Sequence, residues 1–150
     1  FDPEALFLLI SIYSNPTVFI SSDRQTFSKL ESGYHDDLRL TEELDAHYQD
    51  LYCRVFVLPD AAWARRASGS YSNQLTNQAP EQAHAVVTEK ANGNFLVSVR
   101  APLNNKTGAD DICRKFPTGG GRKAAAGIND LPADQLGKLI TTLSDTYRQA

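Results

Sequence analysis

No methionine occurs in the 150 residues, and the chain opens on Phe1. A chain translated from its own start codon would normally show one. The sequence is therefore expected to be a piece of a longer polypeptide, unless modified methionines are missing from it as written. Cysteine is scarce too. Cys53 and Cys113 lie far apart, each among apolar neighbours, and fit neither a zinc motif nor a disulfide framework. They read as buried, reduced thiols of a cytoplasmic protein. A basic excess is also lacking: 15 Lys+Arg stand against 18 Asp+Glu, a formal charge of −3. That balance argues against wholesale binding to a nucleic-acid backbone. No apolar run approaches the ~18 residues of a membrane-spanning helix. The longest, residues 5–10, has no basic flank before it and no small-residue cleavage site after it, unlike a signal peptide.

What is present is ordinary for a folded domain: 41% hydrophobic and 22% charged residues. The charges are unevenly placed. Residues 23–50 are acid-rich, whereas residues 100–123 carry Arg100, Lys106, Arg114, Lys115, Arg122 and Lys123. A local site for a small anionic ligand suits that pattern.

The first fifty residues read as mostly helical. Asp2 and Pro3 open a helix to about Tyr13, apolar almost all round and so expected to be buried on more than one side. Asn15-Pro16 stops it. Residues 17–22 are rich in β-formers and suggest a short strand. A helix from Arg24 to about Glu31 should end at Gly33. Asp36 or Asp37 should open another, with Leu40, Leu44, Tyr48 and Leu51 on one face.

From Tyr52 the rhythm becomes β-α-β-β-α-β-α. Strands are expected over 52–58, 82–89 and 94–101, with Asn92-Gly93-Asn94 as the turn between the last two. In the third, Phe95, Val97 and Val99 alternate with Leu96, Ser98 and Arg100. A helix over 61–77 is interrupted at Gly69, and a short one covers 108–116. Residues 117–121 form a loop, 123–129 a strand, and the last helix runs from near Pro132 to about Arg148. The fold class is α/β: a mixed sheet flanked by helices, preceded by an N-terminal helical segment.

The stretch Pro117-Thr118-Gly119-Gly120-Gly121-Arg122-Lys123 carries the strongest chemical signal. Three successive glycines can point backbone N–H groups into one concavity that suits a phosphate oxygen, and they leave no side chain to fend it off. Positive φ is expected at Gly120, where valine should be worse tolerated than alanine. Arg122 and Lys123 add charge at the edge. Ser98-Val99-Arg100 ends a strand with a planar guanidinium that could bind phosphate or carboxylate. A Gly triplet alone is most often a flexible turn, and a strand-end arginine is most often solvated.

Taken together, these stretches resemble the C-terminal associated domain of the DHH phosphoesterase superfamily. Gly69 to Asn73 matches its Gly-x-x-x-Asn helix, and Ser98-Val99-Arg100 its Ser-x-Arg hairpin. Gly119-Gly120-Gly121-Arg122 with Ala125-Ala126-Gly127 matches its Gly-Gly-Gly-His loop and Ala-Ala-Gly. The resemblance covers roughly residues 52–143. It implies a domain that holds nucleotide or phosphate through Ser98, Arg100, Gly119, Gly120, Gly121, Arg122 and Lys123. It also implies a separate N-terminal domain whose Asp/His clusters bind two manganese ions.

Two departures stand out. Arg122 replaces the motif's His, and the metal-binding motifs are missing. His35-Asp36-Asp37 reads as a solvated helix start, and the three histidines, His35, His47 and His84, have no ligand spacing. The expectation is a substrate-binding domain over 51–150, preceded over 1–50 by a helical connector or a remnant of the catalytic domain. Such a chain is inactive alone, with no cofactor of its own and manganese in the missing domain. The expected partner is a phosphate-bearing small molecule, a nucleotide or a short single-stranded nucleic acid, with no membrane and a homodimer compatible. The alternatives are a nucleotide-binding or nucleic-acid-binding module with no catalytic partner, and a plain structural or dimerisation domain.

Overall fold

The computed structural model describes residues 2–149, which divide into two compact units, 2–36 and 37–149. The first unit is helical. Helix α1 spans Pro3–Ser11, α2 spans Pro16–Ser22, and α3, Arg24–Thr41, begins here and ends in the second unit. Each start is set by a side chain that accepts a hydrogen bond from an otherwise orphaned N–H. Asp2 Oδ1 accepts from Ala5, Asn15 Oδ1 from Val18, and Asp23 Oδ1 from Thr26. Phe19 is the buried hydrophobic of this unit among the described residues, packed between Tyr13 and Phe27.

Four local expectations fail here. Residues 17–22 are helical, not a strand, because Asn15 caps and Pro16 fits the first helical turn. The cap outweighs the β-propensity of Thr17, Val18 and Ile20, which is worth a few tenths of a kcal/mol per residue. Helix α3 runs straight through Gly33, whose cost of about 1 kcal/mol does not stop a helix with 18 residues to support it. Asp36 and Asp37 therefore open nothing. Asp37 is buried and receives two bonds from Arg66, Nε to Oδ2 at 2.7 Å and Nη2 to Oδ1 at 2.9 Å. Helix α1 has no buried residue; Phe7, Leu8 and Ile12 are more than half exposed. Among the described residues no single helix is long and apolar enough to cross a membrane; α1 and α2 are apolar enough only as a pair bent by 97°.

The second unit is a six-stranded mixed sheet, in the order β1-β2-β3-β4-β6-β5. The strands are β1 Tyr48–Gln49, β2 Cys53–Leu58, β3 Ala83–Glu89, β4 Phe95–Arg100, β5 Gly119–Gly121 and β6 Ala125–Leu131. Only β2 and β3 are parallel, joined by α4, Ala62–Gln78, which is unbroken at Gly69. The short α5, Ala109–Arg114, precedes β5, and α6, Leu136–Arg148, closes the chain.

The period-two alternation sorts the strands into two faces. Val55, Ala85, Val99 and Ala126 stand in one row and pack with α5 and α6 residues Ile112, Leu139 and Leu143. Phe56 and Val86 face the opposite way and meet Tyr71 and Leu75 of α4. The layers are thus helix, sheet, helix pair, as the sequence rhythm predicts, with Val97 and Val99 inward in β4.

Two strands go beyond the expected rhythm. Residues 48–49 pair with β2 and are not part of a helix, which is why Leu44, Tyr48 and Leu51 share no helical face. The glycine triplet forms edge strand β5 and is not an open loop. Gly119 and Gly121 are required sterically. A Cβ on Gly119 would collide with the Cys113 carbonyl, and Gly121 has φ 142° with a Cβ position only 2.5 Å from Ala126 Cα. Gly120 lacks positive φ, contrary to expectation, and its Cβ would meet open space.

Asp50 ties the β1–β2 turn to α6. Its Oδ1 accepts the N–H groups of Tyr52 and Cys53, and its Oδ2 accepts the hydroxyls of Tyr48 and Ser144. Burial alone would raise this carboxyl, but those bonds dominate and hold it at about 2, against 3.8 ordinarily. Both thiols, Cys53 and Cys113, are unpaired and buried, which pushes them up to about 12.

Two expectations can be measured. Gly119→Ala should destabilise the fold by about 2 kcal/mol or more in urea unfolding, whereas Gly120→Ala should stay within about 1 kcal/mol; similar losses would show that β5 is misplaced. The depressed Asp50 value gives stability that is complete above pH 4 and lost as pH falls toward 2. Asp50→Asn should therefore remove about 2 kcal/mol at neutral pH and flatten the acid limb of the stability profile. An unaltered acid limb would contradict the assignment.

Candidate anion-binding site

The register of the sheet places the predicted residues. Ser98 stands opposite Gly127, and Gly127 opposite Gly120, so the three share one row on the α4 face. Arg100 stands between His84 and Ala125 on that same face. Helix α4 contributes Ser72 and Asn73 above β4.

These neighbours fix Arg100. Its Nε donates to Asn73 Oδ1 at 3.1 Å, and its Nη1 donates to Ser98 Oγ at 2.8 Å and to the Val99 carbonyl at 3.3 Å. Ser72 Oγ lies 3.3 Å from Ser98 Oγ and donates to the Ser68 carbonyl at 2.7 Å. The guanidinium is thus held at one edge, with Nη2 left for another partner. Burial first, and the nearby Arg122 charge second, lower the Arg100 pKa. On the other side of His84 stands a second arginine, Arg54. Its Nε donates to His84 Nε2 at 3.1 Å, leaving His84 Nδ1 buried without a partner. Burial and the Arg54 charge pull His84 down to about 4, so the imidazole is neutral at physiological pH and adds no charge between the two arginines.

Arg100 forms part of the wall of an open cavity of about 370 Å³. Asn73, Thr76 and Asn77 of α4 line one side, and Ala124 and Ala125 another. Leu103 and Lys106, in the loop after β4, complete it. No carboxylate lines it.

The remaining predicted residues lie apart from that wall. Gly119, Gly120 and Gly121 sit two strands from β4, and their N–H groups do not converge as expected. Antiparallel pairing turns Gly120 toward β6 and its two neighbours toward the free edge, where the Gly119 N–H reaches the Phe116 carbonyl at 3.0 Å. Arg122 and Lys123 belong to the β5–β6 turn, closed by the mutual bonds of Arg122 and Ala125 at 2.9 and 3.2 Å. Arg122 is felt at Arg100 electrostatically, while Lys123 does not line the cavity. Thr76, Asn77 and Leu103 went unforeseen, and Lys106 was foreseen only as one of the basic residues of 100–123. The one available signal was the spacing of Asn73 and Asn77 on a shared helical face.

Among the described residues no group of three or more His, Cys, Asp or Glu is placed to hold a metal ion. The residues present do not fit a dimetal centre, and what lines the cavity is a guanidinium fixed by neutral acceptors. Asn73→Ala should leave the fold intact and free the Arg100 side chain. The Nε signal of Arg100 in nitrogen–proton NMR should then broaden or shift toward that of a solvated arginine; an unchanged signal would mean that Asn73 does not hold it.

No family model and no curated protein matches the sequence. Solved structures do match. The C-Ala domain of Aquifex aeolicus alanyl-tRNA synthetase aligns with 69% of this chain and 97% of its own, at TM-score 0.53 and 13% identity. A pGpG-specific phosphodiesterase from Vibrio cholerae aligns with 97% of this chain at TM-score 0.59 and 10% identity. The DHH domain of a member of the S1p family of ribosomal proteins aligns with 90% of it at TM-score 0.57 and 12% identity. The chain spans 50% of the length of the phosphodiesterase and 35% of that of the S1p-family protein. The fold is the one that the sequence resemblance implies, shared with DHH-domain proteins and with the C-Ala domain.

Proposed function

We propose that this chain is the substrate-binding domain of a manganese-dependent DHH-type phosphoesterase and has no turnover alone. Residues 51–150 would bind the substrate, and residues 1–50 would connect to, or belong to, the catalytic domain that carries the metals. The observation that carries this reading is Arg100, pinned by Ser98 and Asn73 at a cavity without carboxylates, with the Arg122 charge beside it. A positive site of this kind is unfavourable until an anion neutralises it. A phosphate group of a nucleotide or short single strand suits the free edge of the guanidinium. The bare row of Gly127 and Gly120 next to Ser98 leaves room for the ligand to lie on the sheet. Two buried unpaired thiols fit a reducing, cytoplasmic setting.

A second reading is a nucleotide-binding or nucleic-acid-binding module with no catalytic partner. It is favoured by the likeness to the C-Ala domain, which this chain covers almost completely. Activity of the parent protein separates the two.

Calorimetric titration with short oligonucleotides tests the shared claim. Arg100→Ala should weaken binding by about 1.5–3 kcal/mol, the worth of a charge-assisted hydrogen bond. The chain with manganese alone should show no phosphoesterase turnover. An unchanged dissociation constant in Arg100→Ala would overturn the site, and turnover surviving repurification would overturn the claim of inactivity.

A further inference from the structure

The apolar stripe of α6 ends on Tyr147, whose ring joins Leu139 and Leu143 in the core. A phenylalanine would serve that packing as well. The hydroxyl is a polar group carried to a position only 7% exposed, and such a group is costly unless it is bonded. It donates to the Thr107 carbonyl at 2.8 Å, 40 residues back along the chain. Burial first, then the nearby Cys113, Asp110 and Asp111, raise its pKa, so the phenol stays protonated and a donor throughout the neutral range.

Thr107 belongs to the segment 101–108, which joins β4 to α5 and lines the cavity through Ala101, Leu103 and Lys106. The β5–β6 turn holds this segment at its two ends. The Ala101 N–H donates to the Ala124 carbonyl and the Ala109 N–H to the Lys123 carbonyl, both at 3.0 Å. In the middle, the Asn104 N–H donates to the Pro80 carbonyl at 3.1 Å. The bonds of the next turn are internal. The Thr107 N–H donates to the Asn105 carbonyl at 2.8 Å, and the Thr107 hydroxyl to Asn105 Oδ1 at 2.9 Å. They shape the turn around Lys106 without tying it to another element, and the Tyr147 hydroxyl supplies that tie. Gly108 shows how closely the two fit. Its φ is 96°, and a Cβ there would stand 3.2 Å from the Tyr147 phenolic oxygen.

We propose that Tyr147 is a positioning residue for the cavity: through Thr107 its hydroxyl holds the 105–108 turn, and with it Lys106, where a bound ligand meets them. This rests on the reading of the Arg100 cavity as a phosphate-ligand site. Tyr147 does not line the cavity, so its effect passes through the loop. Without the hydroxyl the turn loses its outer tie, and a ligand must order it on binding, which costs affinity. Ser144, one turn earlier on α6, offers the comparison. Its hydroxyl bonds Asp50 at the β1–β2 turn, and neither residue lines the cavity.

Calorimetric titration with the 5′-phosphorylated dinucleotide pApA compares Tyr147→Phe with Ser144→Ala, each of which removes one hydrogen bond of α6. Both should lower the melting temperature. Tyr147→Phe alone should weaken pApA binding, by about fivefold, and speed amide hydrogen exchange at residues 105–108. Ser144→Ala should bind as the wild type does, and Arg100→Ala should bind more weakly. Should Tyr147→Phe fail to fold, Gly108→Ala, which presses on the same contact from the loop side, takes its place under the same criteria. If Arg100→Ala weakens binding but Tyr147→Phe binds as tightly as the wild type, or Ser144→Ala loses as much affinity, Tyr147 serves stability alone. The inference is then wrong and the phosphate-site reading stands. If the wild type does not bind pApA, or Arg100→Ala leaves its binding unchanged, that reading and the inference fall together.

Discussion

The antiparallel register of β4, β6 and β5 is the constraint on which the site depends. It sets Ser98 opposite Gly127 and Arg100 opposite Ala125. Residues with little or no side chain thus stand beside the two polar groups of β4. A Cβ at position 127 would come within 2.8 Å of the Val97 carbonyl, so the close approach of β6 requires glycine there. A shift of one residue would turn Ser98 and Arg100 from the α4 face into the apolar layer formed with α5 and α6. Burying an unpaired arginine in that layer would be prohibitive. The apolar pattern of Val97 and Val99 therefore fixes the polar site as firmly as it fixes the core.

From that register the electrostatics follow. Helix α4 crosses the sheet on the Arg100 side because Phe56 and Val86 give Tyr71 and Leu75 an apolar floor. That crossing brings Asn73 and Ser72 over β4. Asn73 and Ser98 hold Arg100 by neutral acceptors, which orient the guanidinium without cancelling its charge. A carboxylate there would have formed a closed ion pair, as Asp37 does with Arg66 on the same helix. The difference separates an arginine that joins two helices from one that remains available to a ligand.

Much of this was legible in the sequence, and the exceptions share a cause. Strand alternation at 95–100, the turn at Gly93 and the stripe of α6 are local patterns, and they form where expected. Ser98 and Arg100 also share one strand face as expected, though the bond between them was not foreseen. What was not legible depended on competition or convergence. At residues 16–22 an asparagine cap and a proline overrode β-forming side chains. At Gly33 a long helix outlasted one weak residue. The glycine triplet lacks strand propensity and becomes a strand only because α5 and β6 leave space for a backbone without side chains. Lys106 reaches the cavity through a loop anchored on Pro80 and Tyr147, contacts far away in sequence.

The central claim is that one face of one sheet, between α4 and the β5–β6 turn, takes an anionic nucleotide ligand. Amide chemical-shift mapping of the whole chain during titration with a short oligonucleotide tests it most directly. The account predicts saturable shifts confined to residues 73–77, 98–106 and 120–127. Shifts centred on α1 and α2 or on the α5–α6 face, or none at millimolar ligand, would contradict it.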